Sequence, residues 1–435
     1  MTHKPLKIVY LSPGAAGMYC GSCMNDNMLA RSLMEMGHDV MLLPLYTPLQ
    51  TDEQDVSESR VFFGGINVYL QEKLPPFRHL PRFMDRVLDS RWLLNSVARG
   101  SVKTDPTELG PLTLSIVRGE HGHQRKEVDR LVDWLSSQER PSLVNLSNLM
   151  IAGSVPAIKR RLKVPVLLTL QGDDVFLDEL AEPYRSQVMA ELRSLAEQID
   201  GVMVHSQFYA EAMSDYFEIP REKFHVVPLG IRAEDYRSIS AEADSRRPPT
   251  VGYFARICHA KGLHVLIDAM LKLREMPGTE DARLRVAGWL GASDKAYFDN
   301  QRARLEATGE ADFATFDFAV GGAEKKTFFE SIDVLSVPTV YRDPKGRFVL
   351  EALASGVPVV QPEHGAFPEL LRDTGGGRLV QPEAPQQLAE QLHDLLTNDE
   401  ERRRLGEVGR EAVGQRHSEA VAAQAVADVF RQYVN

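Results

Sequence analysis

Cysteine is scarce in this chain, with only Cys20, Cys23 and Cys258 among 435 residues. Such a low count excludes a small secreted scaffold held together by disulfides. Long apolar runs are also lacking, and the longest, such as residues 164–170, fall well short of the ~20 residues that cross a bilayer. No charged segment followed by an apolar one, as in a signal peptide, is recognisable near residue 1. We therefore expect a cytoplasmic protein whose only membrane contact is peripheral, at an inner membrane face.

An excess of positive charge is lacking as well. Fifty Lys and Arg residues face 61 Asp and Glu residues, and the net charge of −11 argues against nucleic acid as a partner. Apolar residues make up 43% and charged residues 26%, the balance of a folded globular protein. Because 435 residues exceed what one hydrophobic core usually supports, we expect two domains.

Short β-branched or leucine-rich runs alternate with helical periodicity along the whole chain. Residues 7–12 predict a strand, 24–36 a helix that stops at Gly37, and 39–45 the next strand. This alternation is typical of parallel βαβ units, so we predict the α/β class. The polar, proline-ended stretch 236–249 is the best linker. The predicted units are a first domain at 1–235 with an insertion at about 50–139, the linker, a second domain at 250–415, and a final helix at 416–435 that could pack back on the first domain.

Segment 77–99 of that insertion has a basic amphipathic pattern. Apolar residues, Trp92 among them, recur at helical spacing between five arginines. One interpretation is a helix that presents an acceptor, either as a lid or by touching an anionic membrane surface. The other is an ordinary packed helix with a solvated face.

Two cations and two carboxylates in the second half have the chemistry of a sugar-nucleotide site. Arg256 and Lys261 follow a predicted strand, and their charges can neutralise a diphosphate. Asp343 and Glu351 lie eight residues apart, and a carboxylate can accept both hydrogen bonds of a vicinal diol. Gly346 opens a predicted helix whose free backbone N–H groups favour a phosphate. Together these groups predict a glycosyl-transfer site.

The acidic spacing alone is common on solvated helices, but its combination with neighbouring motifs is specific. The chain also carries R-x4-K-G after a strand and Gly365-Ala-Phe-Pro-Glu369 after a later one. With these motifs the chain resembles the retaining glycosyltransferases of family 4, most strongly over residues 251–380. The resemblance implies the GT-B architecture, two Rossmann-like domains facing across a cleft. It also implies transfer from a UDP- or GDP-linked sugar to an acceptor hydroxyl with retention at the anomeric carbon.

Roles for individual residues follow from the same resemblance. It implies that Arg256 and Lys261 stabilise the leaving diphosphate, that Glu351 holds the ribose, and that Asp343 contacts hydroxyls of the transferred sugar. The loop glycine of the family falls on Gly21, where backbone approaches the substrates. We thus expect Arg256, Lys261 and Asp343 to be catalytic. The expected donor-binding residues are Gly21, Arg256, Lys261, Asp343, Gly346, Glu351 and Glu369.

The chain departs from the family pattern at several positions. Asp343 is one methylene shorter than the usual glutamate, and Lys345 replaces the usual aromatic residue. Gln171 stands where many members have a histidine near the sugar, so it is a candidate contact to the sugar or acceptor. His121 is a second candidate on the acceptor side. The acceptor itself is expected to be a glycan, a lipid-linked molecule or a small molecule.

Other chemistries fit less well. Cys20 and Cys23 have a redox or zinc spacing, but no second cysteine pair completes a four-sulfur site. Asp173 and Asp174 suggest a metal-held nucleotide, yet the basic phosphate ligands make a metal unnecessary; a helix-opening acid pair is the alternative. We therefore expect no metal and no cofactor beyond the sugar nucleotide. The rival functions are a GT-B epimerase or phosphorylase, and a non-catalytic sugar-nucleotide sensor or scaffold.

Overall fold

The computed structural model describes residues 4–14, 21–51, 53–58, 61–63, 106–236, 247–309, 311–318 and 322–434. Segment 77–99, Cys20 and most of the predicted linker lie outside these residues. The chain divides into two compact units, residues 1–227 with 422–435, and residues 228–421. The division precedes the predicted linker, because Leu229 and Ile231 already pack in the core of the second unit.

Unit 1 is built on a six-stranded parallel sheet with the order β2-β1-β3-β4-β5-β6. Strands such as β3 and β4 are buried at every residue, which explains their continuous apolar sequence. The strands are β1 Lys7–Ser12, β2 Asp39–Pro44, β3 Leu143–Leu146, β4 Val166–Thr169, β5 Gly201–Val204 and β6 Phe224–Val226. The helices are α1 Gly21–Glu35, α2 Pro106–Val117, α3 Arg125–Ser137, α4 Val155–Leu162, α5 Asp173–Asp178, α6 Tyr184–Ala196 and α7 Gln207–Phe217.

Unit 2 has a second six-stranded parallel sheet, with the order β12-β11-β10-β7-β8-β9. The strands are β7 Thr250–Phe254, β8 Arg283–Gly288, β9 Ala314–Phe318, β10 Val334–Leu335, β11 Val359–Pro362 and β12 Gly377–Val380. The helices are α8 Leu263–Arg274, α9 Lys295–Ala307, α10 Ala323–Glu330, α11 Arg347–Ala354, α12 Phe367–Thr374, α13 Pro385–Thr397 and α14 Asp399–Arg416. The last helix, α15 Glu419–Tyr433, packs Val426 and Phe430 in the core of unit 1 against Ile8.

Both sheets have the doubly wound topology that the sequence predicted, and the predicted α/β fold of two Rossmann-like units is confirmed. In unit 2 the strand order reverses between β7 and β10, which are adjacent in the sheet although about eighty residues separate them. Ligands of such sheets bind at the carboxyl ends of the strands next to this reversal. The reversal thus selects the loops after β7 and β10 as the candidate site. None of the helices in the described ranges is long and apolar enough to cross a membrane.

Candidate functional site

Lys261 lies in the loop after β7, immediately before α8. The loop turns at Gly262, whose φ of +71° suits glycine, and a Cβ there would collide with the carbonyl of Pro338 in the loop after β10. The backbones of the two loops therefore approach closely only with glycine at this position. This contact brings the cation of the R-x4-K-G motif to the acid of the next motif.

Lys261 and Asp343 form a buried ion pair. Nζ of Lys261 donates to Oδ2 of Asp343 at 2.6 Å and to the hydroxyl of Tyr341 at 2.9 Å. Burial is the largest single effect and would lower the pKa of Lys261, but the charge of Asp343 and the hydrogen bonds to Asp343 and Tyr341 together outweigh it, and the pKa is raised. Burial, again the largest single effect, opposes ionisation of Asp343, but the charge of Lys261 and the hydrogen bonds from Lys261, Lys345 and Gly346 together lower the pKa of that carboxyl well below its ordinary 3.8. Both groups are thus charged at neutral pH.

The other oxygen of Asp343 faces the start of α11. Oδ1 accepts the amide hydrogens of Lys345 at 3.0 Å and Gly346 at 2.9 Å, two donors that the helix leaves unpaired. The shorter side chain of aspartate, relative to glutamate, suits this close contact with its own backbone. In this structure Asp343 therefore joins Lys261 to a helix N-terminus, and its contact with a sugar stays a prediction.

The loop after β11 lies against the same residue. Gly365 has φ +62°, and a Cβ on it would lie 2.6 Å from the backbone oxygen of Asp343. The amide of Ala366 donates to that oxygen at 2.9 Å, and α12 begins at Phe367 with Glu369 in its first turn. The structure thus places the three predicted motifs of unit 2 at one edge of the sheet.

Arg256 follows β7 by two residues and is half exposed. Its guanidinium donates from Nη2 and Nε to Oδ2 of Asp294 at 2.7 and 3.1 Å, and it lies 5.6 Å from the centre of the Trp289 ring. Asp294 and Trp289 follow β8, the neighbour of β7. Sequence reasoning missed both residues, because nothing in the spacing indicates that the β8 loop supports Arg256.

Glu351 is almost fully buried in α11 and shares one oxygen between two cations. Oε1 accepts from Nζ of Lys325 at 2.9 Å and from Nε of Arg347 at 3.0 Å. Arg347 precedes Glu351 by four residues on the same helix, a spacing that the sequence displays. Lys325 comes from α10, and no signal in the sequence pointed to it.

Unit 1 carries a buried polar network at the carboxyl ends of β1, β4 and β5. Asp26 accepts hydrogen bonds from the Ser12 hydroxyl at 3.1 Å and from Nε2 of Gln171 at 2.9 Å. The amide of Asn25 donates to Oε1 of Gln171 at 3.2 Å and lies 3.3 Å from Nε2 of His205. Gln171 is thus held in place by partners that the sequence analysis did not select.

The remaining predicted residues of unit 1 have separate surroundings. Gly21 opens α1, and a Cβ there would meet no described atom within 4 Å, which leaves space beside its backbone. His121 is exposed at the end of the short turn Gly119–His121, and it shares no hydrogen bond with Gln171 among the described residues. Cys23 is a buried cysteine in α1.

Asp173 and Asp174 begin α5, and each has a partner within unit 1. Asp173 accepts the amide hydrogen of Leu149 at 2.7 Å, and Asp174 accepts from the Tyr209 hydroxyl at 2.6 Å. Burial raises the pKa of Asp174. Within the described ranges, no group of three or more His, Cys, Asp or Glu side chains is arranged to hold a metal ion.

Two family models match the chain and together cover most of it. Residues 236–412 match Glycosyl transferases group 1, and residues 27–230 match Glycosyl transferase 4-like domain. The chain belongs to the family 4-like glycosyltransferases. The resemblance inferred from the motifs is confirmed. One family model matches the first half of this glycosyltransferase and the other matches the second half.

Two relatives are 28% and 32% identical to this glycosyltransferase over the residues that align. The D-inositol 3-phosphate glycosyltransferase of Segniliparus rotundus is 28% identical over 329 residues, 73% of this chain and 69% of that protein. The phosphatidyl-myo-inositol mannosyltransferase of Mycobacterium leprae is 32% identical over 200 residues, 46% of this chain and 51% of that protein.

Two solved structures align with almost the whole length of this chain. HepE of Anabaena, in complex with UDP and glucose, aligns with a TM-score of 0.68 at 16% identity and covers 98% of this chain and 99% of its own. The sucrose-phosphate synthase of Thermosynechococcus elongatus aligns with a TM-score of 0.69 at 18% identity, covering 98% of each chain. At these identities the likeness establishes the GT-B fold.

Proposed function

We propose that this glycosyltransferase moves a hexosyl group from a UDP- or GDP-linked donor to an acceptor hydroxyl, with retention at the anomeric carbon and without a bound metal. The observation that carries the proposal is the buried pair of Lys261 and Asp343 beside the strand reversal of unit 2, with Arg256 in the same loop after β7 as Lys261. A diphosphate at this edge would lie in the field of two cations and next to the N-terminus of α11. The complex of HepE with UDP supports a nucleotide in a related fold.

Lys261 can bind the diphosphate while it stays paired with Asp343. Its ammonium has three N–H donors, and Asp343 and Tyr341 use two of them. The third is available, among the described residues, to a phosphate oxygen. Asp343 thus keeps the ammonium charged and directed, while Arg256, more exposed and held by Asp294, would add the second positive charge. Charge that develops on the leaving diphosphate would be stabilised by groups already in place.

In the proposed reaction the bond from the anomeric carbon to the diphosphate breaks, and a bond to the acceptor oxygen forms on the same face. The departing phosphate oxygen takes the proton of the acceptor hydroxyl, so no protein nucleophile is needed. Exclusion of water would protect the cation-like sugar from hydrolysis. Relatives whose names specify inositol phosphate or phosphatidylinositol acceptors support a hydroxyl acceptor, and the residues around Gln171 and Gly21 in unit 1 are our candidates for its site.

A donor screen followed by a transfer assay tests the proposal. Thermal shift with UDP- and GDP-hexoses identifies the donor, since a ligand at 100 times its Kd stabilises the fold by ~2.7 kcal/mol. With that donor we expect release of the nucleoside diphosphate to depend on an acceptor, and NMR of the product to show the anomeric configuration of the donor. Saturable binding of the donor with no transfer to any acceptor and no slow hydrolysis would instead support a sensor. An inverted product would refute retention.

A further inference from the structure

A buried cation that the proposed mechanism does not use lies beside Glu351. Lys325 is 5% exposed, and its ammonium donates to Oε1 of Glu351 at 2.9 Å. It also lies 5.7 Å from the centre of the Phe254 ring, at the carboxyl end of β7. Lys325 thus connects α10 to Glu351 of α11, and it lies near β7, the strand that precedes Arg256.

The two cations occupy only one oxygen of the carboxylate. Each carboxylate oxygen has two lone pairs, and Lys325 with Arg347 fills both positions on Oε1. Among the described residues, no hydrogen-bond donor reaches Oε2 of Glu351. In Glu351, Oε1 is therefore held by two cations, and Oε2 can accept hydrogen bonds from a ligand.

Stability does not explain this arrangement. A buried ion pair usually gains little over apolar residues of the same size, because removing both charges from water is costly. Arg347 stands on the same helix as Glu351 and Lys325 stands on another, so the two hydrogen bonds to Oε1 tie the carboxylate to both helices.

We propose that Lys325 is a positioning residue, which holds the Glu351 carboxylate so that Oε2 accepts the ribose hydroxyls of the nucleotide. The inference rests on the proposed function, because it takes the ribose to bind at Glu351. Recognition of the ribose then depends on a lysine that makes no contact with the reacting atoms. Loss of Lys325 should weaken discrimination between a ribonucleotide and its 2′-deoxy form.

Calorimetry with UDP, GDP and their 2′-deoxy forms tests this inference. For the nucleotide that binds, we expect wild-type protein to prefer the ribose form by roughly tenfold, the value of one charge-assisted hydrogen bond. Lys325→Met should lose most of that preference, as Glu351→Gln should. Lys326→Met, which removes the same charge from the next, more exposed position of α10, is the matched control and should keep it.

The outcomes separate this inference from the proposed function. Full discrimination in Lys325→Met, with discrimination lost in Glu351→Gln, overturns the role of Lys325 alone. Wild-type protein that binds neither nucleotide, or binds both sugars equally, overturns the ribose site and the inference with it. If Lys325→Met shows no cooperative thermal transition, Lys325→Gln replaces it, because glutamine stays polar but carries no charge and is one bond too short to hold Glu351 as the ammonium does. A reduced ratio in that variant supports the inference, and an unchanged ratio overturns it.

Discussion

Replacing Lys261 should damage both stability and transfer, whereas replacing Arg256 should damage transfer alone. The side chain of Asp343 is only 4% exposed, so Lys261→Met leaves a buried carboxylate without its charge partner. Breaking such a pair costs ~3–5 kcal/mol, which corresponds to a decrease in Tm of roughly 10 °C. Arg256 is 49% exposed, and an exposed pair is worth at most ~1 kcal/mol. Its replacement by methionine should change Tm by less than about 3 °C.

Both single variants should lose at least ~10²-fold in kcat/KM, because in the proposed reaction each removes a charge that stabilises the leaving diphosphate. A double variant separates the two effects. Lys261→Met with Asp343→Asn removes both buried charges, and asparagine can still accept from the amides of Lys345 and Gly346. We expect this variant to recover most of the lost Tm while transfer stays impaired.

The pH dependence gives an independent check of the same pair. The pKa of Asp343 is lowered from its ordinary 3.8, so its contribution to stability is present above that pH and is lost as the pH falls toward the folded-state value. The difference in Tm between wild type and the double variant should therefore shrink below about pH 3.8. Scanning calorimetry measures Tm, and coupled release of nucleoside diphosphate measures kcat/KM. Equal Tm losses in the Lys261 and Arg256 variants, or wild-type kcat/KM in both, would refute the reasoning.

Three further predictions concern metal, the unit 1 network and the basic segment. Transfer should persist in excess EDTA, and loss on chelation that Mg²⁺ or Mn²⁺ restores would make Asp173 and Asp174 candidate ligands. Gln171→Ala should lower the free energy of unfolding by ~1–3 kcal/mol, because Asp26 loses a buried hydrogen-bond donor. Denaturant unfolding measures this free energy, and an unchanged value would contradict the network. Replacing three arginines of segment 77–99 by glutamine should raise the KM of the acceptor or reduce cosedimentation with anionic vesicles, while donor binding stays unchanged. If neither changes, the segment is structural.

Local sequence was enough to predict the motifs of unit 2, and only the structure could show how they combine. Lys261 and Asp343 are 82 residues apart, and they meet because β10 pairs with β7 at the strand reversal. Strand order is set by the packing of whole helices on the sheet, which no short motif records. The same limit hid Lys325, since its contact with Glu351 depends on where α10 packs.

The amino-acid sequence by itself determined the fold class, the family and the residue types of the candidate site in unit 2. Apolar strand runs, helix stops and the R-x4-K-G and D-x7-E spacings act over a few residues, so they can be read along the chain. The tertiary structure decided that Asp343 pairs with Lys261 and caps α11, and that Glu351 keeps one oxygen for two buried cations. Those choices depend on burial and on charges brought together from distant elements, because a hydrogen bond or an ion pair forms only where folding has placed both partners.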